Sequence, residues 1–255
     1  MEHKVLAPVT IDARFCGPEN SGNGGYSAGR LASGMAGSVE VTLRKPPPLQ
    51  VPLTVRVEAD GSRGMYCGVA LVASARPAPV VVRDLAVPSF SAAAEAATRT
   101  FPDHLHQVPG CFVCGPDRLP GEGLRLHPGP LDAADVEWQG PVACTWVPTA
   151  DLGDQNSVVR SEFVWSALDC PTAYACASMA GMRLLLLGRQ TVEILRLPTV
   201  GQRCIVVAQR GAHEGRKFFA DACLYSEHGE VMARCNALWI SVSQEVLQGA
   251  SRKAG

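Results

Sequence analysis

The chain has 255 residues, enough for one large domain or for two units of roughly 100–130 residues each. Its 23 Lys and Arg stand against 24 Asp and Glu with no basic stripe, which argues against a nucleic-acid or anionic-membrane partner. Purely apolar runs such as 184–187 are far short of the ~20 residues of a membrane span. The start MEHK leads into no signal-peptide core, and most of the ten cysteines sit singly in apolar runs as small hydrophobes, so a reduced cytoplasmic protein is expected.

In chain order, 16–25 (CGPENSGNGG) is a loop too rich in Gly, Asn and Pro for a regular element, and 26–35 reads as a short helix of small residues. Strands are expected at 38–45, 50–58 and 65–75, the second from its alternation of Val51, Leu53, Val55 and Val57. From 77 to 130 prolines accumulate, with an Ala-rich turn around 91–98 and the run HLHQVPGCFVCG at 104–115. A strand at 142–147 and a Gly/Asp/Asn loop at 151–157 follow. The next helix, 161–178, contains Pro171, which removes a backbone donor and breaks the helix near 167–169. Four strands close the chain at 184–195, 203–210, 217–225 and 230–242, the last two joined by the turn SEHG at 226–229.

The plan is thus run twice. The string VTLRKP at 41–46 is echoed by EILRLP at 193–198, each after a helix and before a β-rich stretch, which predicts a duplicated domain. The expected units are 1–76 and 131–245, with a connector at 77–130 carrying the Cys-x-x-Cys turn and a disordered tail at 246–255. Each unit is one helix followed by an antiparallel meander, and joining two such sheets removes two exposed edges.

Several segments are similar to the hotdog-fold acyl-CoA thioesterase superfamily in its tandem form. Asn23-Gly24-Gly25-Tyr26 resembles the His-Gly-Gly-Tyr start of that family's helix, and 167–175 (ALDCPTAYA) resembles the segment that carries an acidic residue on the helix. The stretches 215–225 and 233–240 look like the last two strands of a hotdog sheet, and CFVCG at 111–115 with Gly123 and Leu124 resembles a segment preceding the helix in some phenylacetate-type relatives. The resemblance implies an α+β double hotdog, with two antiparallel sheets each wrapped on a central helix and joined edge to edge. It also implies an acyl-CoA or acyl-carrier thioester as partner and is compatible with a homo-oligomer.

Thioester hydrolysis needs a carboxylate to deprotonate or position water, and amides to hold the oxyanion. Asp169 and the Gly24–Gly25 turn can supply these from different halves of the chain, with Asp169 and Asn23 as the catalytic pair. The competing reading of Asp169 is an N-cap for the turn that restarts at Pro171 and Thr172, and that of the glycines is a tight turn. Tyr26, Asn156, Glu162 and Thr172 complete the expected substrate-binding set, with surface capping the better account of Glu162 and back-bonding the commoner role of Thr172. Asn23 stands where many relatives carry His, and an amide is no base near neutral pH, so a non-catalytic acyl-CoA binding or sensing protein remains the alternative. An enoyl-CoA hydratase-like enzyme is a second alternative, although none of the six histidines has Asp five positions earlier. No cofactor is required. His104, His106, Cys111 and Cys114 are the ligand types of a tetrahedral zinc site, but the preferred reading is a structural turn that packs Phe112 against the sheet edge, with no metal. Arg44 and Arg196 recur at matching places in the echo, as contacts for a CoA phosphate or as solvated strand ends.

Overall fold

The computed structural model describes residues 4–82, 85–176 and 184–242, so the expected tail at 246–255 and the end of the second helix beyond 176 lie outside the described residues. The first half holds β1 (Lys4–Val5), α1 (Gly24–Ala32), β2 (Val39–Leu43), β3 (Thr54–Val57), β4 (Arg63–Cys67) and β5 (Ala70–Pro77). Next come α2 (Phe90–Ala97), β6 (Gly129–Pro130) and β7 (Val142–Trp146). The second half continues with α3 (Ser161–Ala167), α4 (Cys170–Cys176), β8 (Leu184–Ile194), β9 (Cys204–Glu214), β10 (Lys217–Ser226) and β11 (Val231–Val242).

All strands join one antiparallel sheet in the order β1-β3-β4-β5-β2-β8-β11-β10-β9-β7-β6. Read outward from the seam, β2-β5-β4-β3-β1 and β8-β11-β10-β9-β7 repeat the same connectivity, which is the double hotdog arrangement. At the seam Val39 faces Val192 and Val41 faces Gln190. These two pairs exchange under a pseudo-twofold through Glu40 and Thr191. The loops before the two helices repeat as well: Asn23 N–H donates to Phe15 O, and Arg160 N–H donates to Leu152 O. Thus Asn23 and Arg160 occupy equivalent N-cap positions of α1 and α3.

The echo that revealed the duplication is off by one residue. Arg44 and Lys45 N–H both reach Val72 O, and Leu195 and Arg196 N–H both reach Met232 O, so Arg196 is the counterpart of Lys45 rather than of Arg44. The run 65–75, expected as one strand, is split between the β4/β5 hairpin, because Gly68 adopts φ +58°, a left-handed turn geometry that glycine enters without strain. The Ala-rich segment forms α2 instead of a turn. Ser89 Oγ accepts from Ala92 N–H as the cap, and Ala93 and Ala96 are buried beneath it.

The two central helices pack through small residues. A Cβ on Gly25 would lie 2.6 Å from Asp169 Cβ and 2.8 Å from Trp165 O, and one on Gly29 would lie 2.6 Å from Glu162 Cα. The small-residue helix is therefore the intrachain seat of α3, and both helices lie within the main apolar core.

Candidate active site

The break in the second helix aims a carboxylate at the first. α3 ends at Ala167, Leu168 caps it, and α4 begins at Cys170 with Pro171 in its first turn. Because Asp169 N–H bonds Ser166 O (3.1 Å), Trp165 O loses its helical donor, and Gln190 Nε2 from β8 donates to it instead (3.0 Å). Thr172 Oγ1 donates to Asp169 O (2.6 Å) and accepts from Trp239 Nε1 (2.8 Å), which fixes the bend against the sheet.

From this bend Asp169 points at the N-terminus of α1. Asn23 Nδ2 donates to Asp169 Oδ2 at 2.8 Å, Gly25 N–H donates to the same oxygen at 3.0 Å, and Asn23 Oδ1 accepts from Tyr26 N–H at 2.9 Å. Both ends of the Asn23 amide are therefore occupied, and its role in this geometry is to cap α1 and orient Asp169. Asp169 Oδ1 is buried with no hydrogen-bond partner among the described residues. The carboxylate makes no side-chain cap to its own helix. Asp169 is 1% exposed and Asn23 2%. Burial pushes the Asp169 carboxyl up to about 7, opposed by the Gly25 N–H and the Asn23 amide, while the Cys111 charge adds to the rise.

Asp169 lies on a cavity of about 920 Å³ between the halves. Leu43 and Val72 wall it from one half, Leu187 and Trp239 from the other, and Phe101 stacks on Tyr174 (4.5 Å) beside them. Asn23 and Gly24 also line it, and Arg44 and Lys45 stand among its polar residues. Gly24 N–H has no acceptor among the described residues, whereas Gly25 N–H is engaged by Asp169. The expectation that both glycine amides are free to hold an oxygen thus narrows to Gly24.

The remaining expected residues are placed elsewhere. Tyr26 stacks on Phe15 (4.1 Å) and its hydroxyl accepts from Arg30 (3.0 Å), away from the cavity lining. Glu162 is buried where α3 crosses Gly29, not on the surface, and Thr172 serves the bend described above. Asn156 is exposed in a turn where its N–H bonds Asp154 Oδ1 (2.8 Å), so it does not reach the cavity. Phe112 packs edge-on to Phe15 (5.0 Å) in the aromatic cluster with Tyr26 and Phe163, not at a sheet edge. Of the four residues weighed as zinc ligands, His104 is exposed and His106 Nδ1 accepts from Val108 N–H (3.1 Å). Cys111 and Cys114 instead meet Cys170, which the sequence reading treated as a small hydrophobe. Gln190 and Cys170 were missed. A Gln inside an apolar strand and a Cys next to the key Asp were the available signals.

The pseudo-twofold creates a second position of the same kind, and it is blank. Arg160 stands in the place of Asn23, and counting equally from the two caps puts Ala32 in the place of Asp169. Among the described residues there is thus one such site.

The sequence matches no protein-family model, and no curated protein sequence matches it. Solved structures do share the fold. An acyl-CoA thioesterase II from Mycobacterium marinum superposes with TM-score 0.61 at 11% identity over 96% of this chain and 97% of that one. A conserved protein of unknown function with hot dog fold from Alicyclobacillus acidocaldarius gives 0.61 at 13% identity over 92% of each chain. A tesB protein from Mycobacterium avium subsp. paratuberculosis gives 0.61 at 12% identity over 94% of this chain and 93% of that one. The chain has the double hotdog fold of these proteins.

Proposed function

We propose that this protein hydrolyses an acyl thioester, of CoA or of a carrier protein, at the Asp169 site. The observation that carries the reading is a pair of unpartnered groups on one cavity: the buried Asp169 Oδ1 and the Gly24 N–H at the positive end of α1. Water bound to Asp169 Oδ1 gives up its proton to the carboxylate as its oxygen attacks the thioester carbon. The carbonyl oxygen takes charge against Gly24 N–H, then the C–S bond breaks and the sulfur leaves as the thiol with that proton. Asn23 and Gly25 hold the other carboxylate oxygen, so the base is oriented before substrate arrives. The acyl group lies against Leu187, Val72 and Trp239. The acyl-CoA thioesterase named for one structural relative points to the same chemistry.

Arg44 has no ion-pair partner among the described residues, whereas Arg196, the counterpart of the neighbouring Lys45 across the pseudo-twofold, is paired with Glu230 at 2.7 Å. Arg44 is thus free to meet a phosphate of the carrier at the cavity mouth. Arg44→Ala is expected to raise KM for acyl-CoA by about 3–10-fold, the loss of one exposed ionic contact, with kcat kept and with an N-acetylcysteamine thioester unaffected. Equal KM changes on both substrates would remove the phosphate contact, and an absence of thiol release from either by the unaltered protein would set the reading aside.

A further inference from the structure

We propose that Cys111, Cys114 and Cys170 form a binding site for a thiophilic divalent cation of the zinc class, with its fourth position open to the cavity. Their three sulfurs lie within 4.8 Å of one another, and Cys111 Sγ and Cys170 Sγ are 3.7 Å apart. Zinc–thiolate bonds of about 2.3 Å arranged tetrahedrally set sulfurs about 3.8 Å apart, so this pair already has the spacing of two ligands on one ion. No fourth His, Cys, Asp or Glu atom among the described residues joins the cluster. Three protein ligands with one position left to solvent is the pattern of zinc sites that accept an outside ligand. All three cysteines are 6% exposed or less and all line the cavity, which provides the entry path.

The turn that carries the first two is tightly curled. Cys111 N–H bonds Val108 O (3.0 Å) and Gly115 N–H bonds Cys111 O (2.8 Å), which curls 111–115 back on itself. A Cβ at Gly115 would sit 2.3 Å from Pro109 O and 2.5 Å from Cys111 O, so the curl needs glycine there. Cys170 comes from the first residue of α4, so the ion would bind the connector to the bend that presents Asp169. The thiols give up their protons as the cation binds.

The test uses the full chain purified under reducing conditions, with zinc measured by mass spectrometry and with cobalt(II) exchanged for it. About one zinc per chain is expected, with thiolate-to-cobalt charge transfer and intense tetrahedral d–d bands in the unaltered protein. Cys170→Ser should lower zinc content at least several-fold, while Cys144→Ser, a buried cysteine outside the cluster, should not. Zinc far below one equivalent with no charge-transfer band overturns the proposal, as does metal content unchanged by Cys170→Ser or a disulfide joining two of the three. The cobalt spectrum needs no variant, so misfolding of a mutant cannot mask the result. None of these readouts involves turnover, so they stand or fall apart from the thioesterase reading.

Discussion

Replacing Asp169 by asparagine lowers kcat by about 10²–10⁴-fold, the range for loss of a general base, while affinity for a non-hydrolysable acyl-CoA thioether stays within about twofold. The substitution is nearly isosteric. An asparagine oxygen at the Oδ2 position still accepts from Asn23 Nδ2 and Gly25 N–H, so the clamp between α1 and the helix bend survives. What is lost is the second oxygen, the one with no partner among the described residues, as a proton acceptor. Binding by calorimetry and thiol release by absorbance separate the two effects. If turnover falls less than about threefold, Asp169 is a structural clamp and the base lies elsewhere.

The second large effect is expected from Gly25→Ala. The added methyl meets Asp169 Cβ at 2.6 Å and Trp165 O at 2.8 Å. Neither is the tip of a flexible side chain, and Trp165 O is held by Gln190, so relief requires α1 and α3 to part. Overpacking of this kind costs about 1–3 kcal/mol, and the backbone clash places it at the upper end. For a chain of 255 residues melting as one unit that is a fall of roughly 6–12 °C in Tm. Activity should fall further than stability, because parting the helices also breaks the Gly25–Asp169 hydrogen bond. A variant that melts within about 2 °C of the unaltered protein, with kcat intact, would show that the helices have slack at this contact and that Asp169 does not depend on it.

The parts of the fold that obey local rules were readable. Alternation at Leu53, Val55 and Val57 marked β3, Pro171 marked the helix break, and the repeated string, though one residue out of register, marked the duplication. The failures have local causes too. The 65–75 run carries no charged residue and only Gly68 between apolar residues from 65 to 73, so periodicity did not reveal the turn there. Alanines at 92–94 and 96–97 read as a turn only until the Ser89 cap is recognised. The site was legible as an acid and a glycine turn in opposite halves, because each is a departure from ordinary helix chemistry. That Gly25 N–H serves the acid while Gly24 N–H has no acceptor among the described residues follows from how two helices cross. Sequence spacing does not encode that crossing. The same holds for Cys170, which is one more small apolar residue until the fold brings it to 3.7 Å from Cys111, and for Glu162, whose burial depends on Gly29 opposite it.

The central claim, that the cavity between the repeats is a thioester hydrolase site, is tested most directly by free-thiol release from short, medium, long and aromatic acyl-CoAs, with binding of each followed in parallel. The account predicts multiple turnovers on at least one class, yielding carboxylic acid and thiol in equal amounts. Saturable binding across the panel without thiol release would contradict it and would make the protein an acyl-thioester binder that holds Asp169 for structure alone.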